Sequence, residues 1–442
     1  MSDTTTLERA PLAALKPYPS NARTHSKRQI EQIARSIERF GFVNPVLVSD
    51  DLEIVAGHGR VAAAKQLGLT EAPIVKLSHL SAAERRAYVI ADNRLAELAG
   101  WDRDTLAIEL QALTELEFEI EAIGFETAEI DLVLSQAADA DPTPAPALEN
   151  AVPPPPDRPV TQLGDVWEIG RHALICADAR DPDAYHVLMD GAAAGVIFTD
   201  PPYNVPIDGF VGGKGKVKHR DFAMGVGEMS PEAFERFLHE TLGLAAANAR
   251  DGSIAFVCMD WRHLGETLAA GADVFDALKN ICVWTKSNAG MGSLYRSQHE
   301  LVLVFKRGTA AHVNNVALGK YGRNRSNVWA YAGVNAFGAA RDAELAMHPT
   351  VKPVALIADA IQDVSRRGDI VLDPFAGSGS TLIAAEKCGR IARLIEIDPV
   401  YCDVIVRRFE DYTGKTAIHA ATGMSFDDIA NQRQRNDAPT LT

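Results

Sequence analysis

The stretch DIVLDPFAGSGSTLIAAEKCGRIARLIEIDP, Asp369 to Pro399, decides the fold. An apolar run, Ile370–Leu372, leads into a turn built on Gly377 and Gly379. A helical stretch follows, and a second apolar run ends at Glu396. Strand, glycine turn, helix and strand make a βαβ unit, which calls for a parallel sheet. The two glycines let the backbone approach a ligand closely. No Lys-Ser/Thr pair follows them, so the loop is not a phosphate-clamping P-loop. Leu382 takes the third glycine position of a dinucleotide fingerprint, which leaves a flavin or NAD site as the weaker alternative. Glu396 lies seventeen residues after Gly379. An acidic residue there can accept both hydroxyls of a ribose. The set suits a nucleoside without a pyrophosphate.

Upstream lies GVIFTDPPYN, Gly195 to Asn204. Its apolar strand, Val196–Phe198, ends in Asp200-Pro201-Pro202-Tyr203. Ligand sites of open α/β sheets lie at the carboxyl ends of strands. Two prolines stiffen the turn and remove two donors. The Asp200 carboxylate and the Pro201 carbonyl remain as fixed acceptors, and Tyr203 adds a flat face. This suits an exocyclic amino group on a planar ring, with its nitrogen aimed at an electrophile. The plainer reading is an ordinary turn capped by Asp200. VWEI, HALICA, SIAFVC and ELVLVF are further short strands alternating with helical segments. The sheet is therefore expected to be largely parallel.

The two motifs together resemble the amino-methyltransferases that modify DNA. Here the Asp200–Tyr203 segment precedes the glycine loop, which resembles the β-class permutation of that family. The resemblance spans roughly residues 160–420. It implies an α/β, circularly permuted, Rossmann-like fold that uses S-adenosylmethionine and needs no metal. It places Asp178 (in ICADAR), Asp373, Phe375, Gly377, Ser378, Gly379, Ser380 and Glu396 at the cofactor. Lys352, in HPTVKP (348–353), is expected at the cofactor's methionine end. WTKSNAGMGSLYRSQHELVLVFKRG (284–308) is similar to the family too. Ser380 stands where threonine is common, and Leu394 where glycine is common.

The Asp-first motif implies site-specific transfer to N6 of adenine, with Asp200, Pro201, Pro202 and Tyr203 catalytic. Transfer to N4 of cytosine is the alternative. C5 chemistry needs a Pro-Cys nucleophile, which the chain lacks. The target base is expected to flip out and stack on Tyr203. Double-stranded DNA is the expected partner. Lys214, Lys216, Lys218 and Arg220 are candidate phosphate contacts in FVGGKGKVKHRDFAMG (210–225). Lys320, Arg323 and Arg325 are others in LGKYGRNRSNVW (318–329). Solvated surface loops are the bland alternative. A homodimer and a partner restriction nuclease are left open.

Toward the N-terminus, Ser26 reads as the cap of a helix that stops at Gly41. PVLVS (45–49) and LEIVA (52–56) read as strands, and GHGRVAAAKQLG (57–68) as a glycine turn opening a helix. This order resembles the ParB/sulfiredoxin-like domain, a small α+β fold. The resemblance implies nucleotide phosphates at Gly57, His58, Gly59 and Arg60. A fold retained without a nucleotide is the alternative. No cysteine precedes Cys176, which excludes sulfiredoxin chemistry. A reading of another class follows: a ParB-like, nucleotide-dependent DNA-binding regulator.

The 442 residues suggest two or three domains. The expected layout is a ParB-like domain with a helical acidic extension (1–140), a proline-rich linker (141–160), the methyltransferase (161–428) and a disordered tail (429–442). Eight prolines fall between Pro142 and Pro159. The pattern from Ser81 to about Gln136 reads as helical, with TELEFEIEA as a solvated helix face. No run of 18 apolar residues exists, and the first residues lack a signal pattern. A cytoplasmic protein of a bacterium or phage is expected. Five scattered cysteines without Cys-x-x-Cys spacing argue against a disulfide framework or zinc thiolate site, and twelve histidines form no ligand-spaced cluster. The net charge of −15 speaks against a nucleic-acid partner until it is divided. Residues 101–150 hold one Arg against thirteen Asp/Glu, while residues 151–442 hold 30 Lys/Arg against 35.

Overall fold

The computed structural model describes residues 6–116, 118–140, 148–205, 227–287, 289, 294–319, 322–332 and 351–437. It divides into two units, Met1–Ala140 and Asp141–Thr442.

The first unit starts with β1 (Leu7–Pro11), α1 (Lys27–Phe40), β2 (Val46–Val48), β3 (Ile54–Ala56), α2 (His58–Gln66) and β4 (Glu71–Lys76). The Ser26 hydroxyl accepts from Gln29 N and opens α1, and Gly41 at φ 80° closes it. The strands order as β1-β4-β2-β3. Val46, Val48, Ile54, Val61, Ala64 and Ile74 fill the core beside them. α3 (Ala82–Leu98), α4 (Arg103–Glu115) and α5 (Thr127–Ala140) follow. The stretch read as helical from Ser81 to about Gln136 is thus three helices. TELEFEIEA is not one helix face: α4 ends at Glu115, and Ile120–Ile123 form a 3-10 turn with Ile120 and Ala122 buried. The apolar half of that acidic run closes a small core with Leu110 and Ile130.

The second unit is one ten-stranded sheet with helices on both faces. Its strands are β5 (Val166–Ile169), β6 (His172–Cys176), β7 (Ala194–Thr199), β8 (Ala249–Met259), β9 (Ala277–Thr285), β10 (His299–Lys306), β11 (Val328–Ala330), β12 (Ile370–Asp373), β13 (Ile391–Glu396) and β14 (Ile418–His419). They order as β11-β9-β10-β8-β7-β12-β13-β6-β5-β14. β8, β7, β12, β13 and β6 run parallel, and β10 lies antiparallel between β8 and β9. α6 (Pro182–Met189), α7 (Pro231–Ala247) and α8 (Leu264–Val274) cover one face. α9 (Val354–Val364), α10 (Ser380–Lys387), α11 (Pro399–Thr413) and α12 (Phe426–Asp437) belong to the other. Val196 and Phe198 pack on the second face, and Ile197 between them on the first. Burial on both faces is why these strands read as unbroken apolar runs. β7 lies beside β12 although the glycine-loop strand comes far later in the chain. That is the permuted Rossmann-like order.

Two expected boundaries move. The distal half of the proline stretch is bound to the second unit. Thr161 N donates to Asp403 Oδ1 (2.9 Å) in α11, and Arg408 Nη2 donates to the Glu149 carbonyl (2.8 Å). Prolines leave few donors to satisfy, so the segment can lie along a surface and be pinned at its ends. The expected disordered tail is α12 as far as Asp437. Phe426 and Ile429 are buried, and Arg433 holds Asp165 through two bonds. Residues 438–442 lie outside the described ones.

Candidate active site

Strand register brings two loops to one edge. Leu372 pairs with Ile197, Asp373 with Leu394, and Glu396 with Cys176. The carboxyl ends of β7, β12, β13 and β6 therefore stand in a row. Asp373 accepts from Phe375 N (3.1 Å) and the Thr381 hydroxyl (2.6 Å). Glu396 accepts from Gly377 N at Oε2 (2.8 Å) and from Asp398 N at Oε1 (2.9 Å). Gly377 and Gly379 have φ of 52° and 81°, where side chains strain the backbone. A Cβ on Gly379 would also stand 3.1 Å from Ile405. Asp178, after β6, is held two ways by Arg180 (3.0 and 2.6 Å) and remains at the same edge. Phe375 packs on Phe237, 5.8 Å between ring centroids.

Ser378 and Ser380, expected at the cofactor, offer their hydroxyl oxygens to a buried arginine. Arg408 Nη1 donates to Ser378 O (2.8 Å), Ser378 Oγ (3.3 Å) and Ser380 Oγ (3.2 Å). Arg408 is 2% exposed and has no carboxylate among these partners. Burial drags it down to about 10. The serines hold the loop from behind, because a buried guanidinium needs acceptors more than the ligand side does.

Burial pushes both Glu396 and Asp373 up to about 7. Asp398 and Asp373 press Glu396 further up, while two backbone N–H groups oppose them. A ligand hydroxyl donating to Glu396 favours its charged form. Nucleoside binding at this loop should therefore strengthen as pH rises through about 7, by at most about tenfold per unit for one proton. Calorimetric titration with S-adenosylhomocysteine from about pH 6 to pH 8.5 checks this. A flat profile, or one unchanged in Glu396→Gln, would refute it.

The second loop carries a buried charge cluster. The Tyr203 hydroxyl donates to Asp200 Oδ1 (2.7 Å) and stands 3.0 Å from Glu300 Oε2. Lys352 Nζ donates to Asp200 Oδ2 (2.6 Å) and the Tyr203 hydroxyl (3.0 Å), and pairs with Glu300 (2.9 Å). Lys286 donates to the other oxygen of Glu300. Two carboxylates thus meet two ammonium groups, and the set is neutral. Burial pushes Asp200 up, with Lys352 opposing. Burial also acts upward on Glu300, but Lys352 and Lys286 win and hold it at about 2. Lys352 resists its own burial because Asp200 and Glu300 raise it well above its usual range. Asp200 keeps 22% of its side chain exposed.

Lys352, expected at the cofactor's methionine end, is bonded here to Asp200 and Glu300. Its long stem lets the cation reach two carboxylates that would otherwise be buried together. Glu300 and Lys286 were not singled out from sequence. Their signal was a carboxylate opening the apolar strand HELVLVFK, where burial demands a cation.

Asn204, at φ 51°, accepts from Gly227 N (3.1 Å) and Met229 N (3.2 Å) through Oδ1. It joins the two ends of the segment expected to carry Lys214, Lys216, Lys218 and Arg220. Those four, and Lys320, lie outside the described residues. Arg323 and Arg325, expected at DNA phosphates, are instead bound to α9. Arg323 donates to Asp363 (2.8 Å) and Asp359 (3.1 Å), and Arg325 to Asp363 (3.1 Å) and Asp359 (2.9 Å). Two adjacent carboxylates on one helix face outcompete solvent for these guanidinium groups. In the first unit, Gly57 (φ 106°) opens α2 and the Arg60 guanidinium folds over it. His58 Nε2 accepts from Tyr18 N (3.2 Å), and burial lowers its pKa. Gly59 packs against His25. Among the described residues, no group of three or more His, Cys, Asp or Glu could hold a metal ion. No described helix is long and apolar enough to cross a membrane.

With this geometry in view, comparison with known proteins gives three family matches. The DNA methylase model of N6/N4 type matches residues 194–407, and the ParB N-terminal domain model matches residues 1–94. The chain carries a DNA methylase domain of N6/N4 type and an N-terminal ParB domain. The ParB-methyltransferase HTH domain matches residues 104–163, a stretch read from sequence as part of the acidic extension and the proline-rich linker. The ParB-like nuclease domain-containing protein YnaK of Escherichia coli K12 is 47% identical over 81 residues, covering 18% of this chain and 93% of that protein. The type II methyltransferase M.ScaI of Streptomyces caespitosus is 37% identical over 89 residues, 20% of this chain and 29% of that protein. The chain thus spans under a third of M.ScaI. Among solved structures, M1.HpyAVI is similar at TM-score 0.39 and 20% identity, covering 53% of this chain and 96% of that chain. TTHA0409 from Thermus thermophilus, complexed with S-adenosyl-L-methionine, gives TM-score 0.37 and 21% identity, covering 57% and 96%.

Proposed function

We propose that this chain transfers a methyl group from S-adenosylmethionine to N6 of adenine at a specific site in duplex DNA. One observation carries the reading: Asp200 and Tyr203 stand at the carboxyl end of β7, beside the strand whose loop Glu396 closes.

The residues present suit the cofactor. Glu396 is 9% exposed, and each of its oxygens takes one backbone N–H, so lone pairs remain for two ribose hydroxyls. Gly377 and Gly379 leave room for an adenosyl group, and Asp178 and Phe375 flank the same edge. When bound, S-adenosylmethionine supplies a methyl group on sulfonium, and the carbon–sulfur bond breaks as the nitrogen–carbon bond forms.

The chain's own residues do the rest. The Asp200 carboxylate and the Pro201 carbonyl accept hydrogen bonds from the exocyclic amine and fix the direction of its lone pair. Pro202 keeps that turn rigid. Tyr203 offers a ring to the flipped base, and its hydroxyl steadies Asp200. As nitrogen becomes positive, the Asp200 carboxylate stabilises it, in surroundings with little water. Lys352 must yield Asp200 Oδ2 to the amine, and Glu300 is the acceptor it retains.

Purified protein, methyl-labelled donor and plasmid DNA should yield labelled N6-methyladenine after digestion to nucleosides. Label found only in N4-methylcytosine would overturn the reading. So would labelled DNA from Glu396→Ala at undiminished apparent donor affinity.

A further inference from the structure

The sheet edge that carries Asp200 also carries a loop that the chemistry leaves unused. β7 ends at Thr199, and its neighbour β8 ends at Met259 opposite Leu301 of β10. His299, at the start of β10, faces Thr285 at the end of β9. The turn after β8 and the β9–β10 loop therefore leave the sheet on the Asp200 side.

The stems of that loop are rooted in the charge cluster. Lys286 pairs with Glu300, which meets Tyr203 and Lys352. Lys286 N donates to Gln298 O (2.9 Å), and Gln298 Nε2 donates to Lys286 O (2.9 Å). Trp261 Nε1 donates to Ser297 Oγ (3.3 Å) and ties the β8 turn to the same stem. Above this braced base stand Leu294 and Tyr295, 83% and 84% exposed. Trp261 is half exposed beneath the Arg262 guanidinium, 4.9 Å from the ring centroid.

Adjacent large apolar side chains this exposed mark a surface that something covers. The charge indicates what. Between Thr285 and Glu300 the chain holds Lys286 and Arg296 with no Asp or Glu, although the net charge of the whole chain is −15. Cations interleaved with aromatics fit a polyanion that bears flat rings. Apolar side chains inserted between base steps unstack them and hold a duplex open.

We propose that Leu294 and Tyr295 form a wedge that enters the duplex and fills the gap left when the target base moves to Tyr203. Lys286 ties the loop stem to Glu300, and through it to the Tyr203 cluster. This rests on the proposed action on duplex DNA.

The test uses the full chain and the exposed double variant Leu294→Ala/Tyr295→Ala. Its duplex carries the site found by sequencing plasmid DNA methylated by the wild type. A second duplex has an abasic site opposite the target base, which is then already unpaired. The variant should lose about tenfold or more in kcat/KM on the paired duplex, yet stay within about threefold of wild type on the abasic one. Its KM for S-adenosylmethionine should not move. Equal losses on both substrates would overturn the wedge in favour of a general contact surface. No loss on either would overturn it too, and would leave the patch to a protein partner or a second copy of the chain. A wild type that methylates no duplex would sink the underlying reading along with the wedge. An active wild type with either failure above sinks the wedge alone.

Discussion

Replacing Asp200 by Asn should lower kcat by about 10²- to 10³-fold, with the fold intact. The amide keeps the shape of the carboxylate and one acceptor oxygen. It removes the charge that stabilises the methylated, positive nitrogen, and it presents an NH₂ group where the target's own NH₂ must dock. The KM for S-adenosylmethionine should change little, because Glu396 and the glycine loop sit on neighbouring strands. Single-turnover methylation under saturating DNA measures the effect. A rate within about tenfold of wild type would mean that Asp200 only shapes the turn. Thermal unfolding should show a modest loss. The neutral set of two carboxylates and two ammonium groups becomes positive by one, but Lys352 retains Glu300.

Replacing Lys352 by Met should cost about 3–5 kcal/mol of stability near neutral pH or above. The side chain is 5% exposed and serves two carboxylates at once. Without it, Asp200 and Glu300 share a buried site with only Lys286 to compensate. Burial already raises Asp200, and losing Lys352 raises it further. A carboxyl whose folded pKa lies above its unfolded one favours the protonated fold. The penalty is therefore largest above the folded pKa and disappears as pH falls toward the unfolded value. Urea unfolding at about pH 8 and about pH 5.5 should show the difference between variant and wild type shrinking at the lower pH. Adding Glu300→Gln to Lys352→Met should recover part of the loss. A cost under about 1 kcal/mol, or one that does not vary with pH, would show that the cluster is better solvated than its geometry implies.

Much of the catalytic unit was legible in the sequence, and the reasons are physical. Strands buried on both faces leave unbroken apolar runs, as in GVIFT and DIVLD. The glycine turn and the double proline fix the backbone locally, so Asp200, Gly377 and Glu396 could be placed from short stretches. Edge strands were harder. β9 carries exposed Lys279 and Asn280 and lacks the run that betrays a central strand. Long-range pairing was harder still. Lys352 reaches Asp200 across 152 residues, and nothing local says which carboxylate a lysine will meet. Arg323 and Arg325 show the opposite error. A basic, polar stretch looks like a phosphate site until the helix beside it presents Asp359 and Asp363. TELEFEIEA misled because its alternating acids suit a solvated helix, whereas Ile120 and Ala122 were needed inside, where Ile120 closes a second small core.

The pinning of residues 148–161 bears on how the two units could be separated. A fragment begun at Thr161, where the prolines end, would strip the Glu149 carbonyl from Arg408 and the Glu149 carboxylate from Lys387. That leaves a buried guanidinium short of an acceptor directly behind Ser378 and Ser380. The damage would surface as weak donor binding and be mistaken for dependence on the ParB unit. The catalytic module, as an inheritable and transplantable piece, begins no later than Leu148.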